Sequence, residues 1–198
     1  MKFAAFGIGV GVYVTVLLIV YYGYINFFRV NVVFYSAIYA AIIALFVYTA
    51  ILYLAPLFRI FNFYEKLNAI VIAGLLGYVF AISLPTFIDR SLSLYILEKL
   101  QQRGGGIQLS KFHYIFTEEY MMEHKLVDIR LTEQSESGTI VIDGDCVRLT
   151  ARGDQLASFS RFFRKYLLPP KRLLLDEYTD ILIDPFSTSG ATPDYLCE

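Results

Sequence analysis

Between Lys2 and Asp89 the chain carries only four charges, Arg29, Arg59, Glu65 and Lys66. They divide the first 88 residues into three apolar segments, Phe3–Phe28, Val30–Phe58 and Leu67–Ile88. Each reaches the ~20 residues that a helix rising ~1.5 Å per residue needs to cross ~30 Å of hydrocarbon. A helix also satisfies its own backbone hydrogen bonds in lipid, which an open strand cannot. The sequence therefore predicts a mainly α membrane protein: three transmembrane helices over 1–88, then a polar domain from Asp89. A signal peptide fits poorly, because the first apolar run is too long, its basic flank is a single Lys, and no small-residue cleavage site follows.

Of 17 Lys and Arg and 18 Asp and Glu, four bases and one acid lie in residues 1–88. The remaining 13 bases and 17 acids leave the polar part slightly acidic, which argues against a nucleic-acid surface spread over all of it. The two cysteines, Cys146 and Cys197, cannot build a disulfide framework and suit a reducing compartment.

Within the first segment Gly7 and Gly11 stand four apart, and Ala73 and Gly77 repeat the spacing in the third. Small residues at this spacing let helix backbones approach, within the protein or with a partner. Tyr21, Tyr22 and Tyr24 before Asn26 and Arg29 read as an interfacial belt. Pro56 should end the second helix near Leu54, with Arg59, Asn62, Glu65 and Lys66 in a short polar connection. The third helix should run from Leu67 to about Leu84 and break near Pro85-Thr86. No Asp, Glu, Lys, Arg or His falls mid-span, so the proton relays and ion paths that need such groups have nothing to stand on. The membrane part reads as anchor and docking surface. A cytoplasmic polar domain puts Arg29, Arg90, Lys99 and Arg103 inside against Lys2, Arg59 and Lys66 outside, a small bias toward that orientation.

In the polar part, Ser91 is a candidate N-cap for a helix carrying Leu92, Tyr95, Ile96 and Leu100 and stopped by Gly104-Gly105-Gly106. Ile107–Leu109 could form a very short strand, and Ser110 could cap a helix burying Phe112, Ile115 and Phe116. A further helix covers about Met122–Ser137. Thr139–Ile142 and Asp145–Thr150, joined at Asp143-Gly144, read as a β-hairpin. A last helix runs from about Asp154 to Leu168, before Pro169-Pro170. Residues 171–198 form an extension that a partner would order.

This order over roughly Ser91 to Leu168 resembles a winged-helix domain of MarR/PadR-like type. The resemblance rests on Val127-x-x-Arg130-Leu131, Gly138-Thr139-Ile140, the Asp143-Gly144 tip, and Val147-Arg148-Leu149-Thr150-x-x-Gly153. Gln134 and Thr139 depart from it, at positions usually apolar. The resemblance implies that the helix before the hairpin reads DNA and that the hairpin touches phosphate, which would make Lys125, Arg130, Arg148 and Arg152 the contacting cations. The acids speak against that: Glu118, Glu119, Glu123, Asp128, Glu133 and Glu136 surround the would-be recognition helix, and Asp143 and Asp145 flank the tip. Carboxylates there would repel phosphates.

The last helix interleaves Phe159, Phe162, Phe163 and Tyr166 with Arg161, Arg164 and Lys165, and Lys171 and Arg172 follow. That suits an anionic leaflet or a partner, and equally a core helix with a solvated basic edge. His113 and His124 lack ligand spacing for a metal, and no phosphate loop or nucleophile elbow occurs, so no catalytic residue, metal or cofactor is expected. The leading expectation is a non-enzymatic accessory or regulatory subunit in a prokaryotic inner membrane. Its cytoplasmic winged-helix-like domain docks on another integral membrane protein rather than on nucleic acid, with lipids or a second copy as further contacts. The alternatives are a membrane-tethered transcription regulator, and a lipid- or glycan-transfer enzyme component using Asp89 and Arg90.

Overall fold

The computed structural model describes residues 2–186. Its elements are mainly helical, and the chain divides into two compact units between Glu119 and Tyr120. The division expected from charge alone lay at 88/89; the first polar helices instead cluster with the apolar ones.

Three helices in the first unit are long and apolar enough to cross a membrane: α1 (Lys2–Phe27), α2 (Val33–Leu54), and a third span over Phe63–Arg90. The third starts earlier than Leu67. Asn62 accepts from the Glu65 amide while the Glu65 carboxylate accepts from the Asn62 amide, both at 2.8 Å, a reciprocal cap that pulls Glu65 and Lys66 into the first turn of α3 (Phe63–Ala81). It also does not break at Pro85. A π-helical turn over Ile82–Thr86 absorbs the missing donor, and α4 (Phe87–Arg90) continues the span. Between α2 and α3, Pro56–Ile60 forms a 3₁₀ turn.

The three helices pack through small residues. Ala5, Gly9, Tyr13 and Leu17 are buried on α1, and Ala69, Ala73, Gly77 and Ala81 on α3. Between them α2 buries Ser36, Ala37, Ala40, Ala41 and Ala44 before Tyr48 and Leu52. In lipid there is little hydrophobic gain from joining helices, so close backbone approach and dispersion have to hold them. Gly9 permits the closest contact on α1: an added Cβ would sit 3.0 Å from the Tyr48 hydroxyl. At Gly77 an added Cβ would strike the Tyr13 hydroxyl and lie 3.0 Å from Cβ of Ala41. The Lys2 ammonium meets the Glu65 carboxylate at 2.8 Å, so α1 and α3 start at the same end, as alternating passes require.

Helix α5 (Leu92–Gln102) is capped by the Ser91 hydroxyl, which accepts from the Leu94 amide. It ends where Gly104 and Gly105 take positive φ and the Gly105 amide reaches back to the Leu100 carbonyl at 2.7 Å. No strand forms at 107–109; the chain makes a 3₁₀ turn over Leu109–Lys111. A helix then runs through α6 (Phe112–Tyr114), a π-helical segment (Ile115–Tyr120) and α7 (Met121–Glu123). Ile115 and Tyr95 are buried, and Phe116 lies between the Tyr95 and Phe112 rings.

In the second unit, the helix expected over 122–137 is split. Lys125 adopts a left-handed φ of 46°, closing α7 and starting α8 (Leu126–Glu136). Strands β1 (Ile140–Asp143) and β2 (Cys146–Leu149) pair antiparallel, Ile140 opposite Leu149 and Asp143 opposite Cys146, with Gly144 at φ 60° in the turn. Helix α9 spans Ala151–Tyr166. A second hairpin, unforeseen in the sequence, joins β3 (Arg172–Leu174) to β4 (Glu177–Thr179). Cys146 is disulfide-bonded. Cys197, the other cysteine of the chain, lies outside the described residues, as does the tail from 187 onward.

The junction of β1, β2 and α9 is built on Thr139 and Thr150. The Thr150 hydroxyl accepts from the Gly153 amide at 3.1 Å as N-cap, and lies 2.8 Å from the Gly138 carbonyl oxygen and 3.0 Å from that of Thr139. A Cβ on Gly153 would collide with the Thr139 carbonyl, so only glycine lets the first turn of α9 rest there. Thr139 and Gln134 satisfy each other: the Thr139 hydroxyl lies 2.5 Å from the Gln134 side-chain oxygen and 2.9 Å from its carbonyl.

Candidate docking surfaces

Helix α9 separates its side chains by face. Phe159, Phe162, Phe163 and Tyr166 recur at i, i+3, i+4 and i+7, one stripe of a 3.6-residue helix. Their rings touch along the stripe, Phe159 with Phe163 at 6.0 Å and Phe162 with Tyr166 at 5.1 Å between centroids. All four are exposed, Phe159 and Tyr166 to 60% and 62%. Arg161, Arg164 and Lys165 fall on the other side of the helix. There they line a groove of about 760 Å³ with Asp154, Asp184 and Phe186. Among the described residues Arg161 and Arg164 form no ion pair, and Lys165 has only the Tyr166 ring, at 5.4 Å. Lys171 precedes β3 and Arg172 opens it.

The hairpin surfaces repeat the pattern. Val141, Ile142, Val147 and Leu149 are exposed on the first, and Leu173, Leu174 and Tyr178 on the second. Leu175, in the β3–β4 turn, is 79% exposed at a φ of 52°, a left-handed conformation that disfavours a leucine. Across residues 120–186 the one buried hydrophobic side chain is Tyr120; the other buried residues are Glu133, Thr139 and Gly153. This unit folds around a hydrogen-bonded junction and leaves its apolar faces uncovered.

Two of the four cations that could have met DNA are already engaged. Arg130 pairs with the buried Glu133 at 2.6 Å and Arg148 lies 3.7 Å from Asp143. Lys125, exposed, takes the left-handed φ that leads into α8, and Arg152 is exposed in the first turn of α9. In the first unit, Glu119 receives Lys99 at 2.6 Å and Arg103 at 3.1 Å. The Lys99 hydrogen bond, then that of Arg103, holds the Glu119 carboxyl below its ordinary range. Glu119 therefore belongs to an internal ion-pair cluster, which no sequence spacing announced. His124 packs on Tyr120, ring centroids 4.9 Å apart, and no group of three His, Cys, Asp or Glu able to hold a metal occurs among the described residues.

On the membrane side, Ala73 and Gly77 lie in the helix contact, whereas Gly7 and Gly11 are exposed with nothing within 4 Å of an added Cβ. The expected Gly7–Gly11 seam is thus not used inside this chain; Gly9, one residue pair inward, makes the contact instead, because the stripe facing Tyr48 is Ala5–Gly9–Tyr13–Leu17. The signal was available as a second four-residue spacing through Ala5 and Gly9.

Together these features define a mainly helical chain with three helices long and apolar enough to span a membrane, followed by a small unit of helices and two-stranded hairpins. No protein-family model, curated protein or solved structure matches the chain.

Proposed function

We propose that this chain is a membrane-anchored, non-enzymatic accessory subunit. Its three apolar helices hold a winged-helix-like polar unit that docks on another integral membrane protein. The observation that carries this reading is the second unit's surface: residues 120–186 bury one hydrophobic side chain and expose aliphatic and aromatic residues on both hairpins. On the first hairpin the register sets Ile142 opposite Val147 and Ile140 opposite Leu149 on one face, and contiguous exposed apolar faces mark interaction sites on proteins. The open Gly7–Gly11 face of α1 offers a second helix a close approach within the bilayer. DNA reading is disfavoured by the pairing of Arg130 and Arg148 with carboxylates.

Affinity purification from native membranes in mild detergent tests the reading. The expected result is one integral membrane protein retained at fixed stoichiometry, and lost when Ile142 and Val147 are both replaced by Glu. Recovery of the chain alone, or only with copies of itself, would overturn it.

A further inference from the structure

We infer that the aromatic stripe of α9 lies in the interface of an anionic lipid leaflet, with Phe159, Phe162 and Tyr166 among the acyl-chain and headgroup boundary. The inference rests on the anchored-subunit reading only in that the spans keep this helix tethered to a bilayer. Three observations carry it. The stripe is continuous, exposed and aromatic over the helix's last two turns. From Gln155 to Leu175 there are five cations and no acid, in a chain whose net charge is -1. Arg161 and Arg164 form no ion pair among the described residues, so their charge is available to an outside anion.

An apolar face opposed to a cationic one is the pattern of helices that lie in the plane of a membrane surface. Basic residues within a screening length of an anionic leaflet are drawn to it, and that attraction falls with salt. A protein partner would need carboxylates set against an aromatic patch at fixed positions. A leaflet needs only net negative charge, and attraction to it acts within a screening length without contacts at fixed positions.

The chain has no tryptophan, so Phe162→Trp places a single reporter on the stripe of the full-length protein. The variant is reconstituted into vesicles of phosphatidylcholine alone and of phosphatidylcholine with phosphatidylglycerol, each with or without brominated acyl chains. The expected result is emission at short wavelength, quenched by brominated lipid most strongly when phosphatidylglycerol is present. High salt, or Arg161→Glu with Arg164→Glu, should weaken that quenching. Emission at long wavelength that acrylamide quenches would overturn the inference. So would short-wavelength emission blind to brominated lipid, which would mean a protein surface covers the stripe. Phe159→Trp, at an equally exposed site, repeats the test if the first variant fails to fold. Partner loss in affinity purification and water exposure of this tryptophan are separate readouts, so the docking reading and this one can fail independently.

Discussion

Tyr13 and Gly77 show how tightly the apolar helices are set. The Tyr13 ring is buried, edge-on to Tyr48 at 5.4 Å, and its hydroxyl has no hydrogen-bond partner among the described residues. It occupies the space a side chain at Gly77 would need. Gly77→Ala should therefore destabilise the bundle by about 1–3 kcal/mol, the usual cost of overpacking. Tyr13→Phe removes an unsatisfied hydroxyl and should be neutral or better alone, and should restore part of the loss in the double variant. Additive effects in unfolding from detergent would contradict that contact. At Glu119 the depressed carboxyl pKa fixes a sign. The ionised form is favoured in the fold, so its contribution is present above the ordinary glutamate range and is lost as pH falls through the depressed folded value. Glu119→Gln should thus be less stable than wild type at neutral pH and converge on it in acid. A difference independent of pH would show that Lys99 and Arg103 do not act through charge. Sequence alone could not find this cluster, because Lys99, Arg103 and Glu119 meet only once the chain has turned at Gly104-Gly105.

At the scale of elements, what periodicity and punctuation encode was legible, and what hydrogen bonding decides was not. The apolar helices, the Ser91 cap, the glycine stop and the Asp143-Gly144 hairpin all announce themselves in local residue choice. The third span starts at Phe63 because Asn62 and Glu65 cap each other, and it passes Pro85 by widening into a π turn. The hairpin over 172–179 was hidden because Leu175-Asp176 is a poor turn signal and one residue takes a left-handed φ without being glycine. Helix α9 begins where Thr150 caps it and Gly153 passes the Thr139 carbonyl. Gly153→Ala should cost about 1–3 kcal/mol, since a backbone carbonyl cannot swing away as a side-chain tip could. Loss of cooperative unfolding in 120–186, with the apolar helices unaffected, is the expected signature by hydrogen exchange; an unchanged protection pattern would contradict the junction. The candidate site was legible as a pattern of aromatics and cations, but its exposure was not. A sequence gives the same stripe to a core helix and to a free one.

For the whole molecule, flanking charge and the disulfide bear on orientation, and the exposed apolar surface bears on cover. The charges flanking the spans favour a cytoplasmic polar unit by one residue, four against three. The Cys146 disulfide pulls the other way, since such bonds persist in oxidising compartments. A cytoplasmic polar unit would hold Cys146 as a thiol in the living cell. Acid-quenched cells alkylated under denaturing conditions should then yield a modified Cys146 without added reductant; a bridged Cys146 would place the unit on the opposite side. A docked, membrane-bound protein must have the apolar surface of 120–186 covered where it works. Hydroxyl-radical footprinting of Phe159, Phe162, Tyr166 and Tyr178, in native membranes and again after purification in detergent, measures that cover directly. Protection is expected in the membrane, and oxidation once lipids and partner are stripped away. Equal oxidation of these rings in both states would contradict it.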